Sequence, residues 1–140
     1  MTASTLFQAF TSIAIGGWIL LAIGIITKRD WLRDKIAGLW IPVLLSGAYA
    51  ALILLFFAKS SGGFDSLENV QELFTNPFAA LAGWVHYLAF DLFIGALIAR
   101  QSGLLNLPRW PLIAVLPLTF MFGPMGFLAF ELIKATRKEL

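Results

Sequence analysis

FAALAGWVHYLAFDLFIGALIA, residues Phe78 to Ala99, is a run of 22 residues in which only His86 and Asp91 can carry charge near neutral pH. As an α-helix it spans roughly 32 Å, close to the hydrocarbon thickness of a bilayer. Asn76-Pro77 punctuates its start and Arg100 its end. Read as a membrane span, the run places His86 and Asp91 within about 4 Å of its midpoint along the axis. A carboxylate facing lipid at that depth costs at least ~2.5 kcal/mol, even on the gentler insertion scale. Asp91 must therefore face other helices, be paired, or be protonated.

Three similar runs surround this one: Leu6–Ile26, Gly38–Ala58 and Pro111–Ile133, so that all four are 21 to 23 residues long. The chain has 140 residues, 59% apolar and 13% charged, too few charges to dress the large relative surface of a small soluble domain. The expected fold class is all-α: a polytopic membrane protein with a four-transmembrane-helix antiparallel bundle. Residues 1–140 form one domain, with spans at about 6–26, 38–58, 78–99 and 111–133. No basic residue precedes the first run, which reads as a retained helix rather than a cleaved signal.

The connections carry the charges. Thr27–Ala37 holds four basic and two acidic residues, Arg100–Trp110 holds two basic ones, and Lys59–Pro77 holds one lysine with Asp65, Glu68 and Glu72. The excess of Lys and Arg on cytoplasmic loops predicts a cell-membrane protein with both termini outside. Lys134, Arg137 and Lys138 of the tail then fall outside, leaving six basic residues inside against four outside. In the long connection Asp65 and Glu68 have capping-box spacing. Phe64, Leu67, Val70 and Phe74 recur at near-helical intervals, which predicts a short amphipathic helix between spans two and three, at the membrane surface or as a lid. In the fourth run Pro117 and Gly123-Pro124 predict a bend that frees backbone carbonyls toward the bundle.

The chain has no cysteine and one histidine. A lone His and Asp do not make a metal site, and neither a metal nor a cofactor is expected. The basic residues border the apolar runs, as membrane-flanking charges do, so nucleic acid is not an expected partner. Residues five apart on a helix diverge by about 140°, so His86 and Asp91 do not reach each other. Asp91 shares a face with Tyr87 and Trp84, continued by Gly95. Tyr49 on the second span, or a carbonyl freed by Pro124, is a candidate partner for its carboxyl. Two roles stay open for Asp91 and His86: acid–base chemistry on an apolar substrate, or hydrogen bonding between helices.

Ala82-Gly83-Trp84-Val85-His86-Tyr87-Leu88-Ala89-Phe90-Asp91-Leu92-Phe93, with Gly63-Phe64-Asp65-Ser66-Leu67 before it and Thr119-Phe120-Met121-Phe122-Gly123-Pro124-Met125-Gly126 after it, resembles the ABA4-like family of small multi-pass membrane proteins. The plant member is associated with forming neoxanthin from violaxanthin in plastid membranes. The resemblance implies a carotenoid or other isoprenoid as partner besides membrane lipid. It also implies a cofactor-independent isomerase, in which an acid protonates an epoxide oxygen and a base takes a proton from the polyene end. His86 and Asp91 suit those roles, with Tyr87 orienting one of them and Tyr49, Trp84 and Pro124 in support. The alternative is a non-catalytic lipid- or pigment-binding protein. A proton-coupled transporter would require an oligomer, since four helices are few for alternating access.

Overall fold

The computed structural model describes residues 2–138. It is built from helices α1 (Ala3–Ile26), α2 (Ile41–Phe56), α3 (Leu67–Leu73), α4 (Pro77–Leu104), α5 (Leu112–Met121) and α6 (Gly123–Lys138). The side chains of Arg137 and Lys138, counted above in the tail charge, lie outside what is described.

The first three apolar runs form long helices. Thr2 caps α1 by accepting from the Thr5 N–H. A π-helical stretch, Trp31–Trp40, runs without a break into α2, so the second span starts well before Gly38. Only Thr27–Asp30 is left as the connection. The wide π-turns precede Pro42, whose ring would otherwise press on the carbonyl one turn earlier. Asn76 caps α4, its side chain accepting from the N–H groups of Phe78 and Ala79. Among the described residues, three helical stretches are long and apolar enough to cross a membrane: Ala3–Ile26, Trp31–Lys59 and Pro77–Leu104.

α4 is the hub. The buried share of its apolar window is 56%, against 22% and 17% for the other two long helices. Toward its start, Leu81, Val85 and Leu88 pack with Ala14 of α1 and Leu45 and Leu52 of α2. Further along, Leu92, Ala96 and Ala99 pack with Leu21 and Ala37. Close approach comes from Gly17, set against Leu92 and Ile41, and from Gly24, set against the backbone of Arg33. Gly16 and Gly47 have open space instead.

The four-span bundle does not form. The fourth run is divided at Phe122, whose backbone (φ −147°, ψ 73°) leaves the helix between α5 and α6. The 10 residues of α5 rise only about 15 Å, half a hydrocarbon core. The chain then turns back. Leu112 and Val115 of α5 share a buried cluster with Phe130 of α6 and Ile98 of α4. A Cβ on Gly126 would overlap Thr119, so α6 leaves the apex pressed against α5. Lys134 Nζ then reaches Gln101 Oε1 at 3.0 Å. Thus α5 descends along the second half of α4 to the level of Tyr87 and Asp91, and α6 returns to the end where α4 finishes. The physical reason is the Phe122-Gly123-Pro124 sequence: Pro124 lacks an N–H to continue the ladder, and Gly123 permits the backbone contact that fixes the apex.

The expected short helix between the second and third long helices exists as α3, with a different start. Its cap is Ser66, which accepts from the Asn69 N–H, while the Asp65 carboxylate accepts from the Asn69 amide. Leu73 is buried, and a Cβ on Gly83 would meet the ring of Phe74, so the residue that ends α3 rests on α4.

Candidate functional site at the hairpin apex

Helical periodicity puts Trp84, Tyr87, Asp91 and Gly95 on one stripe of α4, and this stripe faces α1 and the α5–α6 apex. Asp91 is 7% exposed. Its carboxyl group lies beside the Gly123 backbone and the Tyr87 hydroxyl. A Cβ on residue 123 would fall into the carboxyl group, so only glycine lets the apex come this close. Among the described residues, Asp91 Oδ2 has no hydrogen-bond partner. A buried polar atom left unpaired costs about 1–3 kcal/mol, and here it sits at mid-depth of the central helix.

The broken helix frees carbonyls, and Tyr87 takes them. Its hydroxyl donates to Met121 O and, at 3.2 Å, to Phe120 O. Trp84 stacks on Tyr87 at 5.3 Å between ring centroids and donates from Nε1 to Thr11 Oγ1 at 2.9 Å. Trp18 of α1 lies over Gly95 and meets Phe120 edge-on at 5.5 Å. Three helices and the apex thus converge on Asp91 through aromatic rings and backbone.

The other sequence candidates lie elsewhere. His86 is on the exposed side of α4, its ring 5.4 Å from Tyr49 and 4.8 Å from Phe90. Tyr49 therefore meets His86 and not Asp91. Pro124 is exposed, and its neighbour Gly123 makes the contact with the carboxyl group. Among the described residues no three of His, Asp and Glu gather in a way that could hold a metal ion. Spacing within α4 pointed to the Trp84–Tyr87–Asp91 stripe, whereas Gly123, Trp18 and Phe120 belong to other helices, and no spacing along the chain relates them to Asp91.

Beside the apex a groove of about 780 Å³ runs between α1 and α5, from Arg109, Trp110 and Ile26 to Ile15, Trp18 and Phe120. Its walls are almost wholly apolar. Its inner end is the Trp18–Phe120 pair, and the Trp18 ring rests one turn of α4 from Asp91.

Against known families, residues 5–130 match the family described as ABA DEFICIENT 4-like, or ABA4-like. The chain belongs to the ABA4-like family. It is an all-α, multi-span membrane protein of that family. No curated protein and no solved structure matches it.

Proposed function

We propose that this ABA4-like protein takes a carotenoid or other long isoprenoid into the α1–α5 groove and isomerises it without a cofactor, using Asp91 as the proton-transfer group. The observation that carries this reading is the buried Asp91 carboxyl with one unpartnered oxygen. It is held at mid-membrane by the hairpin apex, one aromatic pair away from the groove. A protonated Asp91 gives its proton to an epoxide oxygen or a polyene carbon, and the resulting carboxylate takes a proton from a neighbouring carbon. The substrate leaves as an isomer and the acid is restored, so one group serves both steps. Tyr87 positions the apex rather than touching substrate, because its hydroxyl is engaged by the Phe120 and Met121 carbonyls. His86 lies outside this centre.

Asp91→Asn keeps the shape and removes the titratable proton. Membranes from cells carrying this variant are expected to hold assembled protein and lose the isoprenoid or pigment product, measured by mass. Full conversion by well-assembled Asp91→Asn protein would overturn the assignment. A non-catalytic pigment- or lipid-binding role is favoured by one observation, the placement of His86 away from Asp91, which leaves one carboxyl group and no imidazole at the apex. Under that reading Asp91→Asn retains the bound molecule and no isomer is ever formed.

The hairpin also changes the charge count. With α6 returning to the C-terminal end of α4, Lys28, Arg29, Arg33, Lys35, Arg100, Arg109, Lys134, Arg137 and Lys138 fall on one side and Lys59 on the other, accounting for all 10 basic residues. The basic-residue rule supports a cytoplasmic location for that end and an outside N-terminus.

A further inference from the structure

At the mouth of the α1–α5 groove lies a second cavity of about 340 Å³, and the two share Ile25, Arg109 and Leu112 as walls. This one is polar. Lys28, Asp30, Arg33, Ser102, Asn106 and Arg109 line it. Arg33 is committed: its guanidinium meets Asp34 at 2.7 Å and Asp30 at 3.0 Å. Among the described residues, neither Lys28 nor Arg109 pairs with a carboxylate. Ser102 is 3% exposed, and the Asn106 amide adds a donor at the rim. The mouth therefore offers two uncommitted cations and neutral donors, and the one carboxylate lining it, Asp30, is already tied to Arg33. The chain fixes this arrangement locally. Lys28 and Asn106, both walls of the cavity, adopt positive φ (56° and 50°) just past the ends of α1 and α4.

We propose that the ligand of the groove is a phosphate-headed single-chain isoprenoid, its phosphate held by Lys28 and Arg109 and its chain directed along the groove toward Trp18 and Phe120. This rests on the reading that the groove takes an isoprenoid chain, and it adds the identity of the polar end. One chain fits because the groove is a single furrow bounded by α1 and α5. From Ile26 to Ile15 it follows α1 for about 16 Å, so a chain anchored at the mouth brings its far end to the aromatic pair beside Asp91. A phosphate suits the mouth because it accepts charge-assisted hydrogen bonds from two cations at once. The site lies at the level of the connections, where water and headgroups meet the hydrocarbon. An uncharged polyene would leave both exposed cations to water alone.

Purified full-length protein in neutral detergent can be titrated with a C20 prenyl monophosphate, with the parent prenol and with inorganic phosphate, following fluorescence of Trp18 and Trp110. The prenyl phosphate is expected to bind about tenfold more tightly than the prenol, the gain of two partly solvated ion pairs. Inorganic phosphate alone is expected to give no change in fluorescence. In Lys28→Gln/Arg109→Gln protein the affinity for the prenyl phosphate should fall to that of the prenol. In Ala22→Trp protein, with its groove filled, both prenyl ligands should lose binding, with helix content and detergent elution volume confirming the fold of each variant. Equal binding of prenyl phosphate and prenol to the parent would overturn the phosphate site and leave the groove reading standing. Binding of neither would overturn both. Displacement by a two-chain phosphatidic acid at equal concentration would show a general anionic-lipid contact and overturn the single-chain assignment.

Discussion

Gly123 and Asp91 illustrate how much one missing methyl group can decide. The carboxyl group of Asp91 occupies the space that a Cβ on residue 123 would need. Gly123→Ala is therefore expected to lower stability by about 1–3 kcal/mol, the usual range for overpacking a filled site, read as an earlier midpoint in sodium dodecyl sulfate unfolding. An unchanged midpoint would mean that the apex does not press on Asp91. Tyr87→Phe removes the donor for the Phe120 and Met121 carbonyls and is expected to cost about 0.6 kcal/mol, the average for hydrogen bonds between membrane helices, and at most about 1.7 kcal/mol. At this scale the sequence was legible where one helix sufficed. Rotation by 100° per residue put Trp84, Tyr87 and Asp91 on one face. It was illegible across helices: Tyr49 was a candidate partner of Asp91, yet it packs against His86, because periodicity orders the residues of one helix and says nothing about which neighbour each face meets.

The elements most altered from expectation are α5 and α6. A break near Gly123-Pro124 followed from proline chemistry, and so did the freed carbonyls. Reversal of the chain did not follow, because an apolar run of membrane length has the same composition whether it crosses once or enters and returns. The missed signal lay in charge: Lys134, Arg137 and Lys138 on the outer side sat poorly with the rest of the chain. The cysteine-free sequence lets paired spin labels test the hairpin. Labels at Ile113 and Leu132, both exposed, would be about 28 Å apart on a continuous helix. The hairpin brings both to the same end, and electron–electron resonance is expected to give a separation below about 20 Å, the interaxial distance of packed helices plus the label arms. A distribution centred near 28 Å would restore a straight fourth span.

For the whole molecule, three helices long enough to cross a membrane and a hairpin that returns to the end of α4 predict that the start of α1 and the end of α6 lie on opposite faces, with the apex and its buried carboxyl at mid-membrane. Apolar length in the sequence marked the three stretches that form uninterrupted helices long enough to cross a membrane, and marked a fourth with them. The fourth run met the same length criterion and failed on backbone continuity at Phe122. Cysteine accessibility in intact cells tests this arrangement most directly, with single cysteines at Ser4, before the first crossing, and at Ala135, near the end of α6, both exposed. A membrane-impermeant maleimide is expected to label the Ser4→Cys protein in intact cells and the Ala135→Cys protein only after permeabilisation. Labelling of both variants from the same face would contradict the hairpin, because an even number of crossings would then separate the two positions.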